Sequence, residues 1–191
     1  MKFFKKFKKK KSIYQILISN NFNLESKEVK ELNLSDGSYE LEIIEKNEIN
    51  HISTKEINKA VDDYYFKDRE AIEEFENFFR ENKALEAERN FLKYLLSKIE
   101  FDESKLVGLS ILLMRDSRVE ECVKFGMLLT KYFNLGEVRR AKEIFMNLLN
   151  HPAFVYYGID FVKEIDYAIL DDLHEKGTEI SKKIIEEKAW N

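Results

Sequence analysis

Apolar side chains recur every three or four residues from about residue 54 to the end of the chain, which is the period of an amphipathic helix. Asp102 or Ser104 can begin one of these helices, because short polar side chains favour the N-cap position. Short polar breaks separate the later helices, so neighbouring helices are predicted to be antiparallel hairpins. These later helices are predicted over residues 106–114, 117–133, 137–149, 152–173 and 178–190.

The preceding segment, residues 23–53, has a different pattern. Tyr39, Leu41 and Ile43 alternate with polar residues, a period of two that is typical of a strand with one face on a core. A turn at 35–37 and a second strand over 29–34 would complete a small β-hairpin. A short helix beginning at Ser26 explains the second segment nearly as well, so both interpretations stay open.

A shift of 36 residues aligns the apolar positions of one predicted helix pair with those of the next. It places Leu112 on Leu148 and Val119 on Val155. The competing explanation is chance similarity between helices of comparable length. If the repeat is real, the chain is built from helix–turn–helix units that stack on one another.

The sequence of residues 116–129 resembles the second helix of a HEAT-type repeat, and residues 150–159 are similar to the corresponding helix start in a following repeat. The resemblance spans roughly residues 84–173 and implies a short α-solenoid. Small helical-repeat proteins of this kind include scaffolds, adaptors and bacterial immunity proteins that neutralise polymorphic toxins. The resemblance therefore implies binding rather than catalysis.

The charge of the chain divides sharply between its first residues and the rest. Seven of the 32 basic residues lie within residues 1–11, where there is no acidic residue. The other 25 basic residues stand against 36 acidic ones, so residues 12–191 carry a net charge of −11. Such a body repels phosphate backbones and attracts basic proteins, and we therefore expect a basic protein partner and no nucleic acid.

The basic N-terminal segment, residues 1–22, combines lysines with phenylalanines. Aromatic rings opposite lysines can rest on an anionic membrane surface, although a solvated chain end is the simpler interpretation. The residues that would make this weak membrane contact are Lys2, Phe3, Phe4, Lys5, Lys6 and Phe7. The sequence lacks a secretory cleavage pattern and an apolar stretch of membrane-spanning length, so we expect a soluble, cytoplasmic protein.

Few residues suggest catalysis or a metal centre. A single cysteine excludes the disulfide-stapled and multi-thiolate zinc classes, and Cys122 lies on an apolar stripe, which predicts a buried, unreactive thiol. Asp171, His174 and Glu175 share a helical face, but a di-iron site needs a second carboxylate–histidine element, so a solvated acidic face is preferred. We predict no metal and no cofactor. Gly126 in the middle of a helix predicts close helix packing.

These patterns predict a mainly α protein made of antiparallel helical hairpins, stacked as a short HEAT-like α-solenoid. A small β-hairpin near the N-terminus stays one of the two open interpretations of residues 23–53. Three segments are expected: the basic segment 1–22, the element 23–53, and a helical-repeat domain 54–191 that forms one compact unit with 23–53.

The predicted function is a non-enzymatic protein-binding module with an acidic surface, and most specifically an immunity or antitoxin protein that neutralises a basic toxin domain. A peripheral membrane adaptor held by the N-terminal segment is the alternative, and a helical metal-dependent enzyme ranks third. Acidic side chains attract a basic partner and tyrosines serve as anchors, whichever of Tyr156 and Tyr157 is exposed. The candidate contact residues are Asp62, Asp63, Tyr64, Tyr156, Tyr157, Asp171 and Asp172.

Overall fold

The computed structural model describes residues 10–65, 71–98 and 102–190 of the chain. These ranges are mainly helical, as the apolar period predicts, and contain no β-strand. The α-helices are α1 (Ile13–Ser19), α2 (Lys27–Lys30), α3 (Ser38–Lys46), α4 (Lys55–Tyr65), α5 (Ala71–Phe79), α6 (Ala84–Ser97), α7 (Glu103–Asp116), α8 (Glu120–Leu129), α9 (Arg139–Leu148), α10 (Val155–Ile165), α11 (Tyr167–Lys176) and α12 (Glu179–Ile185).

Short 3₁₀ turns and one π turn complete the helical elements. The 3₁₀ turns are Thr130–Tyr132, Leu135–Glu137 and Pro152–Phe154, and the π turn is Glu186–Trp190. No helix in the described ranges is both long and apolar enough to cross a membrane. The residues assigned to a membrane contact, Lys2, Phe3, Phe4, Lys5, Lys6 and Phe7, lie outside the described residues.

The β-hairpin predicted for residues 23–53 is wrong, because this segment forms α2 and α3. Ser26 caps α2 by accepting a hydrogen bond from the Val29 amide, as the alternative interpretation predicts. Ahead of α3, Gly37 adopts the left-handed region at a φ of 95°. The strand pattern assigns Glu40 to solvent, but its side chain is fully buried in an ion pair, so the apparent alternation of apolar and polar positions is misleading.

Helices α7 and α8 form a tight hairpin at the centre of the molecule. A β-carbon added at Gly126 would lie 2.9 Å from the Leu113 β-carbon and 3.0 Å from the Met114 backbone nitrogen, which confirms the predicted close packing. The Ser110 hydroxyl donates a 2.7 Å hydrogen bond to the Gly126 carbonyl across this contact. Cys122 is fully buried in the same hairpin, also as predicted.

Three phenylalanine rings from helices α5 and α6 surround Phe125 of α8. The ring centroids of Phe79, Phe91 and Phe75 lie 4.7, 5.0 and 6.3 Å from that of Phe125. All four side chains are no more than 1% exposed. Burial of large aromatic side chains supplies much of the free energy that holds α5 and α6 on α8.

The first helices pack back onto elements from the second half of the chain. The Ser12 hydroxyl donates a 2.6 Å hydrogen bond to the Arg115 carbonyl, and the Ile13 amide donates to the Ser117 carbonyl at 3.0 Å. The Asn147 side-chain amide donates to the Tyr14 hydroxyl at 3.0 Å, and α3 packs against α12. The N-terminal helices are therefore part of the same core as the later ones.

Candidate protein-binding face

The structure separates the predicted contact residues instead of joining them on one surface. Asp62 is engaged within the chain, because the Tyr94 hydroxyl donates a 2.5 Å hydrogen bond to it and Lys98 forms an ion pair with it. Asp63 and Tyr64 belong to α4, but their side chains lie outside the described part of the structure. Asp62, the candidate side chain described at this end of α4, is therefore already engaged by contacts within the chain.

The two candidate tyrosines of α10 are largely occupied by contacts within the molecule. Tyr157 is 4% exposed and donates a 2.8 Å hydrogen bond to Glu40, so its side chain does not offer a contact to a partner. Tyr156 is half-buried, with the Lys188 ammonium 4.4 Å from its ring centroid. Burial, followed by the nearby carboxylate of Asp160, raises the pKa of Tyr156 to about 12.

The predicted helix 152–173 is interrupted, and the interruption sets the direction of α11. Asp166 has an extended backbone with a φ of −167°, and its carboxylate accepts a 2.9 Å hydrogen bond from the Ala168 amide. A carboxylate in this position satisfies an unpaired amide at the helix start, so α11 begins as a separate helix. Leu170 is fully buried and fixes the inner side of α11.

Asp171 and Asp172 point to different sides of α11, since neighbouring positions on a helix differ by about 100°. The Asp172 carboxylate forms a 2.5 Å ion pair with Lys176 of the same helix. Asp171 is exposed and has no ion pair within the described chain. Of the five predicted contact residues whose side chains the structure describes, Asp171 is the one that is both exposed and without an ion pair.

Tyr167, Asp171 and Glu175 form one exposed row on α11, at successive four-residue steps. Tyr167 is 53% exposed and Trp190 is 45% exposed, which is high for aromatic side chains. The imidazole of His174 lies beside this row, and its ring centroid is 4.7 Å from that of Trp190. We refer to Tyr167, Asp171, His174, Glu175 and Trp190 as the α11 face.

His174 joins the C-terminal turn to α11. Its Nε2 atom lies 2.8 Å from a carboxylate oxygen of Glu186, and the same ring contacts Trp190. These contacts hold Trp190 against α11 while leaving nearly half of its surface exposed. The described residues contain no group of three or more histidine, cysteine, aspartate or glutamate side chains arranged to hold a metal ion.

A fully buried lysine, Lys124 of α8, lies at the centre of an ionic cluster in the interior of the molecule. Its ammonium nitrogen is 2.8 Å from the Glu40 carboxylate, 2.7 Å from that of Glu120 and 3.2 Å from that of Glu121. It also donates a 3.0 Å hydrogen bond to the Ser35 hydroxyl. The cluster therefore ties the segment around α3 to α8.

The charges in this cluster stabilise one another. Burial by itself lowers the pKa of Lys124, but the carboxylates of Glu40, Glu121 and Glu120 outweigh burial, so that its pKa is raised. Burial likewise raises the pKa of Glu120, but Lys124 and Ser35 outweigh it, so that this pKa is lowered. The lysine and Glu120 consequently stay charged at neutral pH.

Two further groups lack the features of a catalytic nucleophile or base. Burial raises the pKa of the Cys122 thiol to about 12, which leaves it protonated at neutral pH. Burial lowers the pKa of His151 to about 4, and its Nδ1 atom accepts a 3.2 Å hydrogen bond from the Ala153 amide at the start of a 3₁₀ turn. Both side chains are buried and contribute to the packing and hydrogen bonding of the interior.

Sequence reasoning identified Asp171 but missed its neighbours Tyr167 and Trp190. Trp190 is the single tryptophan of the chain and follows Glu186, Glu187 and Lys188, and an aromatic side chain in so polar a setting is a signal of exposure. Tyr167 carries no comparable signal, because its exposure depends on the break at Asp166. The chain matches no protein-family model, no curated protein and no solved structure.

Proposed function

We propose that this protein is a non-enzymatic binding module that captures a basic protein partner through the α11 face. The observation that carries the proposal is the exposure of Tyr167 and Trp190 among unpaired or exposed carboxylates. Exposed aromatic side chains are frequent anchors of protein interfaces, because they provide a large contact area and lose little conformational entropy on binding.

The charge of the molecule supports a basic partner rather than an acidic one. Residues 12–191 combine 25 basic with 36 acidic residues, and Asp171 and Glu175 add carboxylates at the aromatic anchors themselves. Carboxylates around an interface accelerate the encounter with a positively charged protein, whereas aromatic contacts slow its dissociation. The two kinds of residue on the α11 face therefore have complementary roles.

The proposal includes the predicted HEAT-like α-solenoid as the scaffold of this face. Helices α7 and α9 pack together, and α8 packs against α10, which supports two stacked hairpins related by the 36-residue shift. The N-terminal helices then cover part of this stack, since α1 packs against α7.

The proposed function can be tested by photo-crosslinking in the source cell. Ala168 is exposed next to Tyr167, so p-benzoylphenylalanine at position 168 places a reactive group beside the α11 face without replacing any of its members. Asn134 is an exposed position outside that face and provides the matched control. We expect a basic protein to be crosslinked from position 168 and not from position 134. Equal crosslinking from both positions, or a predominantly acidic product, would contradict the proposal.

The specific form of the proposal is an immunity or antitoxin protein, in which the captured partner is a basic toxin domain. Expression of such a partner alone should arrest growth, and co-expression of this protein should restore it. Growth should recover less when Tyr167 and Trp190 of the co-expressed protein are both replaced by alanine. A partner that leaves growth unaffected would remove the toxin interpretation and leave the binding function in place.

A further inference from the structure

Lysine side chains in this molecule repeatedly lie over a tyrosine ring while also binding a carboxylate. Lys83 lies 5.0 Å from the Tyr39 ring centroid and 2.9 Å from the Glu121 carboxylate. Lys98 lies 4.8 Å from the Tyr94 ring and forms an ion pair with Asp62. A cation in such a position is attracted both by the electrons of the ring face and by the acid.

The same arrangement of a lysine, a tyrosine ring and a carboxylate occurs on α10. Tyr156 and Asp160 are four residues apart, and Lys188 lies 4.4 Å from the tyrosine ring centroid and 2.8 Å from the carboxylate. Four-residue spacing brings a ring and a carboxylate side by side on a helix surface. Tyr167 and Asp171 have the same spacing on α11.

The pair on α11 differs in having no cation of its own. Within the described part of the chain, no lysine lies over the Tyr167 ring and no basic side chain pairs with Asp171. Tyr167 is 53% exposed, so its ring is open to an incoming group. Glu175 continues the row and Trp190 adds a second exposed ring beside His174.

We propose that the α11 face binds a cationic side chain of the partner, a lysine or an arginine, over the Tyr167 ring and against the Asp171 carboxylate. This inference rests on the proposed function and specifies the chemistry of the partner residue. The partner cation takes the place that Lys188 has between Tyr156 and Asp160. A basic peptide segment then crosses α11 towards Trp190, with Glu175 available for a second cation.

The test uses the full chain, a hexalysine peptide and the same peptide with every side-chain amine acetylated. Trp190 is the only tryptophan, so its fluorescence reports on the α11 face alone. We expect saturable binding of hexalysine at low salt and none of the acetylated peptide, because acetylation removes the charge. The change Tyr167→Leu, which keeps an apolar side chain, and the change Asp171→Asn should each weaken binding by about tenfold.

The control variant is Glu137→Gln, which removes one exposed carboxylate outside the α11 face. Its affinity for hexalysine should stay within about twofold of that of the unchanged protein, since a distant exposed charge is screened by salt. Unfolding temperatures of all variants should be compared, because Tyr167 and Asp171 are exposed and their replacement should leave the fold intact.

Three results would overturn the inference: unchanged affinity in Tyr167→Leu, equal losses in Asp171→Asn and Glu137→Gln, or no saturable binding of hexalysine to the unchanged protein. The proposed function is judged separately by crosslinking from position 168. A basic protein crosslinked there together with unchanged affinity in Tyr167→Leu would mean that acidic charge attracts the partner without the ring. Absence of any crosslinked basic protein would contradict the proposed function itself.

Discussion

Lys124 shows at the residue scale how a buried charge contributes to this fold. Its side chain and that of Glu40 are fully buried, and Glu120 and Glu121 also face it. One oxygen of Glu40 is buried without a hydrogen-bond partner within the described structure, so this carboxylate depends on Lys124 and Tyr157 for its stabilisation. A buried ion pair is costly to break because the remaining charge is left uncompensated.

Replacing Lys124 by methionine should therefore lower the free energy of unfolding by about 3–5 kcal/mol. Urea titration measures this loss. Adding Glu40→Gln to the same chain should recover part of it, because fewer unpaired charges then remain buried. The control is Lys131→Met, which removes a partly exposed ion pair with Glu88 and should cost no more than about 1 kcal/mol. A loss at position 124 no larger than at position 131 would contradict a stabilising role for the cluster.

His151 should make stability depend on pH. Its pKa falls from 6.5 to about 4 on burial, so between these values the unfolded chain binds more protons than the folded one. The contribution of His151 to the free energy of unfolding is therefore fully present above pH 6.5. It is lost as the pH falls towards 4, by up to about 1.4 kcal/mol per pH unit. His151→Asn keeps an acceptor for the Ala153 amide and removes the titration. Urea titrations of both proteins should show the smaller pH slope in the variant, and parallel pH profiles would exclude His151 as the responsible group.

At the scale of elements, the packing of α7 on α8 depends on the absence of a side chain at Gly126. A β-carbon there would lie 3.0 Å from the Met114 backbone nitrogen, which cannot rotate away as a side chain can. Gly126→Ala should lower the free energy of unfolding by about 1–3 kcal/mol in urea titrations, even though alanine favours the helix. Gly136→Ala is the control, because its nearest contact is the Asn134 side chain at 3.3 Å. Similar losses at both positions would contradict the packing argument.

Helices with regular apolar stripes were predictable from the sequence, and so was the cap at Asp102, whose carboxylate accepts from the Ser104 amide. Helix α3 could not be predicted in this way. Pattern analysis assumes that a glutamate faces solvent, whereas the side chain of Glu40 is fully buried. The break at Asp166 was also missed, since the apolar period continues across it while the backbone leaves the helix. Both failures arise from a polar side chain whose tertiary or local hydrogen bonds override the apolar period.

The acidic charge of the whole molecule should govern the rate at which a basic partner associates. Asp171→Lys reverses an unpaired carboxylate on the α11 face and should slow association by about tenfold at low salt. Asp172→Lys reverses a carboxylate that is already paired with Lys176 on another side of α11, and should have a smaller effect. Stopped-flow association with the crosslinked partner measures both rates, and higher salt should shrink the difference as the Debye length falls below about 10 Å. Equal rates for the two variants would contradict a directed role of the α11 face.

The candidate site itself was predictable only in part. Charge counting indicated an acidic binding protein and selected Asp171, because acidic residues near a helix end are visible in the sequence. It also selected Asp62 and Tyr157, which the fold engages internally through Tyr94 and Glu40. Whether a polar or aromatic side chain is available to a partner depends on which side chains the fold brings against it. These contacts join distant parts of the chain, as between Tyr157 and Glu40.

The contacts of the first helices also determine when this protein can finish folding during its synthesis. Glu40 meets the Tyr157 hydroxyl across 117 residues, and Tyr14 meets Asn147 across 133. At a translation rate of about 5–20 residues per second, Glu40 is synthesised roughly 6–23 s before its partner tyrosine. The segment that contains α1, α2 and α3 therefore cannot complete its packing until Asn147, Tyr157 and α12 have been synthesised. Closing these long loops should be a slow step for a helical protein, and chaperones have that interval in which to bind the N-terminal helices.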